Sequence, residues 1–276
     1  AGHTGTLDPL ASGLLPVCFG AATKFEQLQL DADKAYEATL RLGVRTTTGD
    51  AEGDVVAVAP VDAVMLAPER LRALAQRFTG EIEQIPPMHS ALKKDGKALY
   101  EYARAGIEVE RAPRRVTIHA LTLEPVADDP AALRLTVRCS KGTYVRTLAE
   151  DIGAALGCGA HLLSLRRTAT GGLSLDDAIT LDALQALPPE ERQRHLLPTE
   201  ALLRGLPTVA LGERDAGRFL SGLRRRGPWP DAALVAVFGE RPRALLGTAR
   251  CVAGELIPVR LLSPTEIAQS LQPSFP

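Results

Sequence analysis

The stretch of this sequence best suited to chemistry runs from Gly2 to Pro16, because it places a carboxylate, Asp8, among residues that favour turns. Three glycines and two prolines within these 15 residues exclude the interior of a regular helix or strand and predict a shaped loop. A carboxylate held in such a loop can serve as a nucleophile or as a general base. Turn chemistry alone leaves a simpler interpretation open, in which Asp8 before Pro9 is a turn residue or a helix cap.

A second feature is an arginine at the start of a predicted helix. Apolar residues at helical spacing predict a helix that ends at Gly157, with Thr143 as its N-cap, and Arg146 then lies in the first turn. A cation in that position opposes the helix dipole. We therefore expect an anion nearby, either a carboxylate of the protein or a phosphate, although an exposed arginine screened by water would also fit the pattern.

Strands and helices surround these features without a regular βαβ repeat, which indicates an α+β fold. Alternating apolar and polar residues predict a strand over Lys34–Leu42 and two more over Arg115–Leu123 and Leu133–Cys139. A helix is predicted to begin at Pro68 and to end at Gly80. These elements are expected to hold the loop and the arginine in place.

The segment from residue 86 to residue 115 breaks this pattern and is expected to be an exposed excursion. It combines lysines with tyrosines, a mixture that suits contact with phosphates and stacking on bases. These residues are Lys93, Lys94, Lys97, Tyr100 and Tyr102. A solvated loop with a short helix is the alternative that composition alone favours.

The character of the sequence changes again at Pro207, after which it predicts a small, mostly β accessory domain. The helix of this tail is predicted over Glu213–Leu220. Its strands are predicted over Thr208–Leu211, Ala233–Phe238, Ala244–Cys251 and Leu256–Leu262. The basic run Arg224-Arg225-Arg226, beside Trp229, is a candidate contact for nucleic acid.

Composition narrows the class of protein. With 45% apolar and 24% charged residues the chain is an ordinary globular protein, and no run of apolar residues is long enough to predict a membrane span. The four scattered cysteines are typical of reduced cytoplasmic thiols, and no metal site is predicted. A net charge of −1 argues against a uniformly basic surface for nucleic acid, but basic residues concentrated between positions 130 and 170 can steer a polyanion.

The Gly2–Pro16 stretch closely resembles the catalytic motif of the bacterial tRNA pseudouridine-55 synthases, the TruB family. Further motifs follow in the order in which that family has them. They lie at Lys34–Tyr36, Gly49–Ala51, Pro86–Lys93, Cys139–Leu148 and Gly159–Arg167. Their co-occurrence across residues 1 to 170 is far more specific than any single loop.

The resemblance implies an isomerase that converts uridine to pseudouridine at position 55, in the T-arm of tRNA. Such an enzyme flips the target base out of the folded RNA before it acts. Asp8 is then the catalytic carboxylate, which attacks the ribose C1′ or abstracts a sugar proton. Arg146 corresponds to the family arginine that binds this carboxylate, since a guanidinium keeps an acid ionised in a dry pocket. No cofactor is implied.

The resemblance also implies a set of residues around the flipped base. Tyr36 corresponds to the stacking tyrosine, Tyr144 to a second tyrosine that lines the substrate, Leu165 to an apolar wall, and His3 to the histidine that fills space near the base. Secondary candidates for contact with RNA are Asp50, Lys93, Arg166 and Arg167. Taken alone, each of these residues has an ordinary structural explanation.

At the level of domains, the resemblance implies a catalytic domain over residues 1–205 of pseudouridine-synthase type, with a mixed, largely antiparallel sheet. Its excursion at about 86–115 corresponds to the insertion that grips RNA in the family. Residues 206–276 correspond, more loosely, to a PUA-like RNA-binding domain. The strand and helix that precede the catalytic motif in the family are not found here, and we expect either a longer native chain or the loss of that region. The expected protein is a cytoplasmic monomer.

Two other hypotheses are consistent with parts of the sequence. A tRNA-binding folding chaperone would use the same surfaces without catalysis. A small-molecule hydrolase would use Asp8 as a nucleophile and would have no RNA partner; the basic segments make this the weaker of the two.

Overall fold

The structure, a computed structural model, describes residues 1–271. The strands in chain order are β1 (Gly2–His3), β2 (Ala11–Gly13), β3 (Val17–Cys18), β4 (Lys34–Leu42), β5 (Val44–Thr46), β6 (Val55–Val58), β7 (Gly80–Gln84), β8 (Lys93–Lys94), β9 (Lys97–Ala98), β10 (Arg114–Val126), β11 (Asp129–Cys139), β12 (Ala160–Thr170), β13 (Leu173–Ser174), β14 (Thr208–Leu211), β15 (Arg225–Arg226), β16 (Ala232–Glu240), β17 (Arg243–Val252) and β18 (Glu255–Leu261). The α-helices are α1 (Glu26–Leu30), α2 (Pro68–Arg77), α3 (Leu99–Arg104), α4 (Val145–Leu156), α5 (Leu181–Ala186), α6 (Pro189–Arg192), α7 (Glu213–Leu220) and α8 (Pro264–Leu271).

The chain divides into two compact units. The large-sheet unit consists of Thr6–Leu15 and Asp31–Thr170. The small-sheet unit consists of Ala1–Gly5, Pro16–Leu30 and the chain from Gly171 onward. The domain boundary expected between residues 205 and 206 stays a prediction.

The large-sheet unit is built on a mixed, largely antiparallel sheet. Its strands lie in the order β12-β4-β11-β10-β7, each antiparallel to its neighbours, and β2 runs parallel to β12 along Leu165–Arg167. The predicted strand over Lys34–Leu42 is confirmed with the same bounds, and the inward-facing Ala38, Leu40 and Leu42 are buried. The predicted α+β fold class is confirmed.

Helix α4 covers one face of this sheet against β12. Leu148 and Ile152 are completely buried there, as their helical spacing predicts. Gly157 ends the helix in the left-handed conformation, at φ 91°. The predicted N-cap is wrong: the hydroxyl of Thr143 donates to the carbonyl of Ser140, and Tyr144 is the residue at the N-cap position.

The segment between Gln84 and Arg114 forms a short hairpin, β8–β9, followed by the single helix α3. The lysines of the hairpin are exposed, as predicted for this excursion. Two cations lie over tyrosine rings, Lys97 at 4.9 Å from the Tyr102 centroid and Arg104 at 5.1 Å from that of Tyr100. The segment also has an anchor that composition does not reveal, because Leu99 is buried.

The small-sheet unit has a sheet of its own, in the order β14-β16-β17-β18-β15, with β14 parallel to β16 and the other neighbours antiparallel. Its core includes Val209, Phe219, Val237 and Leu256. Helix α7 has the predicted bounds, Glu213–Leu220. Within residues 1–271, no helix combines the length and the apolar character that crossing a bilayer requires.

Candidate active site

The two residues singled out by sequence, Asp8 and Arg146, form an ion pair in the large-sheet unit. Arg146 Nε donates to Asp8 Oδ2 at 2.9 Å, although 138 positions separate the two in the chain. The side chain of Arg146 is 6% exposed and that of Asp8 is 37% exposed. The guanidinium is therefore a fixed, buried partner, and the carboxylate is open on one side to a reacting molecule.

The other donors of Arg146 hold it to two further segments. Nη1 donates to the Thr48 carbonyl at 3.2 Å, and Nη2 donates to the His89 carbonyl at 2.7 Å. A guanidinium presents its donors in a rigid plane, so these acceptors fix its orientation toward Asp8. The anion predicted beside this first-turn cation is thus a carboxylate of the protein.

Asp50 supplies a second carboxylate to the same guanidinium. Its Oδ2 lies 3.6 Å from Arg146 Nη1, and its side chain is only 5% exposed. Asp50 Oδ1 accepts from the hydroxyl of Thr48 and, at 3.1 Å, from the backbone N–H of Glu52. One buried cation therefore faces two carboxylates, and the arrangement leaves the more exposed acid, Asp8, available for chemistry.

The start of α4, which carries Arg146, is tied to β7 by one buried amide. Gln84 Oε1 accepts from the backbone N–H of Tyr144 at 3.0 Å, and Gln84 Nε2 donates to the Tyr144 carbonyl at 3.2 Å. Gln84 is buried at the end of its strand. This reciprocal pair satisfies backbone groups ahead of the helix and sets where its first turn begins.

Tyr36 and Leu165 lie on the adjacent strands β4 and β12. Tyr36 is partly buried against the core, and Leu165 is buried beside Ala11 of β2. Burial raises the pKa of the Tyr36 phenol, and the guanidinium of Arg167 partly opposes that rise. The phenol thus stays neutral at physiological pH and offers a ring face and a hydroxyl rather than a charge.

The adjacent arginines of β12, which sequence grouped together as RNA contacts, have opposite environments. Arg166 is exposed. Arg167 is 2% exposed, with Nε donating to the Leu14 carbonyl at 2.7 Å and Nη1 to the Thr6 carbonyl at 3.4 Å. Arg166 is therefore accessible for the predicted contact with RNA, whereas the guanidinium of Arg167 already donates to backbone carbonyls.

The remaining predicted residues are spread over both units. Tyr144 is partly buried next to Arg146, and Lys93 is exposed on the β8–β9 hairpin. His3 is exposed in the small-sheet unit, where its Nδ1 accepts from the backbone N–H of Gly5 at 3.3 Å. The roles predicted for these residues stay predictions.

Sequence reasoning missed three contributors to the site: Thr48, His89 and Gln84. The first two orient Arg146 through backbone carbonyls, which leave no mark on residue type. Gln84 did leave a signal, because the alternation along Gly80–Gln84 places it on the same face as Ile82, and a polar group on an inward face needs a hydrogen-bond partner. Over the described residues, no three or more His, Cys, Asp or Glu side chains cluster in a way that could hold a metal ion.

Comparison with known families places this geometry in context. Residues 1–145 match the family described as TruB family pseudouridylate synthase, N-terminal domain. Residues 146–204 match the tRNA pseudouridylate synthase B C-terminal domain. The ion pair between Asp8 and Arg146 spans these two matched regions.

Proteins with similar sequences carry names that are consistent with these family matches. A protein named tRNA pseudouridine synthase B from Verminephrobacter eiseniae is 62% identical over 273 residues, which cover 98% of this chain and 82% of that protein. A protein of the same name from Ralstonia nicotianae is 58% identical over 269 residues, covering 95% and 85%. These relatives resemble the present chain along almost its full length.

Two solved structures have a similar fold. A chain from a crystal structure of a Cbf5–Nop10–Gar1 complex has a TM-score of 0.66 and 25% identity, over 95% of this chain and 75% of its own. A chain from an H/ACA ribonucleoprotein bound to a substrate RNA containing 2′-deoxyuridine has a TM-score of 0.68 at 22% identity, over 95% and 76%. With family matches over more than half of its residues and relatives of this identity, the chain belongs to the TruB family of pseudouridine synthases.

Proposed function

We propose that this protein is a tRNA pseudouridine synthase that converts uridine to pseudouridine at position 55, in the T-arm of tRNA. The observation that carries the proposal is the half-exposed carboxylate of Asp8, held at 2.9 Å by the buried guanidinium of Arg146 in a chain of this family. Relatives named tRNA pseudouridine synthase B support tRNA as the substrate.

The reaction rearranges one nucleotide. The bond between N1 of uracil and C1′ of the ribose breaks, the base turns within the pocket, and a bond forms between C5 and C1′. C5 loses its proton and N1 gains one, so mass and oxidation state are unchanged. Asp8 begins the reaction, either by attack on C1′ or by abstraction of a sugar proton, and can later assist removal of the C5 proton.

Arg146 holds the carboxylate of Asp8 in one orientation, through the hydrogen bond from its Nε to Asp8 Oδ2. The fork of Arg146 cannot swing away, because its other donors are bound to the carbonyls of Thr48 and His89. The carboxylate thus reaches the ribose in a fixed orientation, which is how positioning lowers a barrier.

The target uridine must leave the stacked tRNA arm, at a cost of a few kcal/mol. In this proposal Tyr36 stacks on the extruded base, with Leu165 and Tyr144 beside it. The role expected for His3 near the base stays a prediction. Lys93 and Arg166 are exposed and contact RNA outside the pocket. The tail acts as a PUA-like RNA-binding domain, and the protein works as a cytoplasmic monomer.

The experiment incubates this chain with an unmodified tRNA transcript and detects pseudouridine by carbodiimide labelling and mass spectrometry. Wild-type protein should give product at the T-arm uridine. Asp8→Asn should lower the rate by at least about 1,000-fold, because the neutral amide supplies neither a nucleophile nor a base. Its tRNA affinity should stay within about twofold, since the substitution removes no contact to phosphate.

Asp128→Asn is the matched control, because Asp128 is an exposed carboxylate in the turn between β10 and β11. It should behave as wild type. Turnover by Asp8→Asn would contradict the catalytic assignment. Wild-type protein that binds and folds tRNA without forming product would instead support a chaperone, and activity insensitive to salt would support a hydrolase of small molecules.

A further inference from the structure

A buried arginine outside the Asp8–Arg146 pair has no role in the reaction described so far. Arg167 is among the largest fully buried side chains of the described residues. Burying a guanidinium is costly unless its donors are satisfied. The groups that accept hydrogen bonds from Arg167 therefore indicate its role.

Two backbone carbonyls that accept from Arg167 belong to the segment that carries Asp8. Arg167 Nη1 donates to the Thr6 carbonyl, two residues before Asp8, and Nε donates to the Leu14 carbonyl, six residues after it. One rigid guanidinium thus bridges the two ends of Thr6–Leu14, called the catalytic loop from here on. Only Ala11–Gly13 of this loop form a strand, so the rest has no regular structure to hold it.

The backbone of Arg167 holds the same loop a second time. The N–H of Leu14 donates to the Arg167 carbonyl at 2.8 Å, in register with the parallel pairing of β2 and β12. The approach is so close that a Cβ on Gly13 would lie 2.2 Å from that carbonyl oxygen, at a φ of +97° that also favours glycine. The backbone of Arg167 therefore fixes the C-terminal end of the loop, and its guanidinium also binds the N-terminal end.

Arg167 also faces the residue expected to stack on the base. It is paired in register with Tyr36 across β12 and β4, so the two side chains project from the same face of the sheet. A single side chain consequently touches the loop of the catalytic carboxylate and adjoins the stacking tyrosine. Phosphate of a bound RNA cannot reach a group that is 2% exposed without displacing these contacts.

We propose that Arg167 is a positioning residue, which ties Thr6 to Leu14 and so sets the place of Asp8 relative to Arg146 and Tyr36 without touching RNA. This inference rests on the proposed function for its kinetic consequences. It assigns different tasks to two neighbours in sequence: Arg166 meets RNA at the surface, and Arg167 shapes the site from inside.

The first test is the kinetics of Arg167→Lys on a tRNA transcript. An ammonium keeps the charge but cannot bridge two carbonyls in the fixed plane of a guanidinium. The single-turnover rate should fall by about 100-fold, as expected for a displacement of about 1 Å at the reacting groups. KM and the salt dependence of tRNA binding should stay unchanged. Arg72→Lys, at an exposed position of α2, is the matched control and should behave as wild type.

Arg166→Ala gives the contrasting result, with weaker binding and a salt slope reduced by about one, while the bound complex reacts at the normal rate. If Arg167→Lys instead weakens binding, reduces the salt slope and leaves the rate of the bound complex intact, Arg167 contacts RNA and the proposal is wrong.

Hydrogen exchange without RNA supplies the second test. In Arg167→Lys, and in Arg167→Gln, which keeps one donor nitrogen, amides of Thr6–Leu14 should exchange faster while those of β4 and β11 keep their protection. Equal loss of protection throughout the large-sheet unit, or failure of both variants to fold, would mean that Arg167 supports the whole unit, and would overturn the proposal. Because exchange is measured without catalysis, an inactive wild-type protein would refute the proposed function separately.

Discussion

Among the several arginine–carboxylate ion pairs of the described residues, those of Arg146 and those that Arg224 and Arg226 form in the tail have opposite surroundings. Arg146 meets Asp8 and Asp50 with its side chain 6% exposed. In the tail, Arg224 and Arg226 share Glu255 with side chains 65% and 87% exposed. Exposed pairs of this kind contribute little to stability, whereas a buried charge that loses its partner is strongly destabilising.

The contrast shows that an arginine-rich sequence has two distinct uses. A buried arginine cannot exchange its partner, so it acts through geometry, as Arg146 does. An exposed pair can open, so a phosphate can compete with Glu255 for Arg224 or Arg226, although each arginine already has a carboxylate in the structure. The nucleic-acid contact predicted for the tail stays a prediction, and it would have to displace these ion pairs.

The largest effect is expected when the buried cation is removed. Arg146→Met keeps much of the volume but leaves Asp50 buried without a counter-charge, which should lower the free energy of unfolding by about 3–5 kcal/mol. The matched exposed change, Arg226→Met, should cost less than about 1 kcal/mol. Urea titration measures both, and similar losses would contradict the distinction between the two groups.

A double variant sharpens the same comparison. Adding Asp50→Asn to Arg146→Met removes the stranded charge, so part of the lost stability should return. Activity should not return, because Asp8 still lacks its guanidinium, and the rate should remain at least about 100-fold below wild type. Recovery of both quantities together would show that Arg146 acts on the reaction only through stability.

The spacing of apolar and polar residues predicted the bounds of an element correctly where that spacing runs without a break. Strand β4 and helix α7 have the predicted bounds, because alternation in the first and helical spacing in the second are uninterrupted. The strand predicted over Arg115–Leu123 extends in the structure to Arg114–Val126. Its ends are set by pairing with β7 and β11, which residue types on the strand itself do not encode.

The site was predictable only in part. Asp8 and Arg146, 138 positions apart, were connected through resemblance to a family, since no local rule joins such distant residues. The different roles of Arg166 and Arg167 could have been predicted, because side chains alternate between the two faces of a strand. Arg167 therefore lies on the same face as the apolar Leu165, and Arg166 lies on the opposite face. The carbonyls of Thr48 and His89 could not have been found, because every residue has one.

A smaller effect is expected for Gln84, which touches neither carboxylate. Gln84→Met should leave the backbone N–H and carbonyl of Tyr144 without their buried partners, at a cost of about 1–3 kcal/mol. The first turn of α4 should then loosen and the rate should fall roughly tenfold, because small displacements of Arg146 reach Asp8. Urea titration and single-turnover kinetics measure the two effects.

The control for Gln84 is its exposed neighbour on β7. Glu83 lies 3.8 Å from Arg115 in a pair that is open to solvent. Glu83→Gln should change stability by less than about 1 kcal/mol and leave the rate as it is. A Gln84→Met variant that loses stability but keeps the wild-type rate would mean that α4 holds Arg146 in place without this amide.

The smallest effects concern two glutamates whose pKa values move in opposite directions. Burial raises the pKa of Glu150 above its ordinary value of 4.5, and the charge of Arg45 only partly opposes this. Hydrogen bonding to Arg226, together with Arg224, lowers the pKa of Glu255 below the same value. The two carboxyls therefore affect the pH dependence of stability with opposite signs.

For Glu150, the native state favours the neutral acid, so stability is lost as pH rises from about 4.5 through the raised pKa of the folded state. Glu150→Gln should consequently raise Tm at pH 7, by less than about 2 °C because the group is partly exposed. Below pH 4.5 it should leave Tm unchanged.

For Glu255, the native state favours the charged form, so Glu255→Gln should lower Tm slightly at pH 7. That loss should disappear as pH falls through the lowered pKa, and thermal unfolding at pH 7 and pH 3.5 measures both signs. If the two variants change Tm at pH 7 in the same direction, the contrast between buried and exposed groups that holds for the arginines does not extend to these two carboxyls.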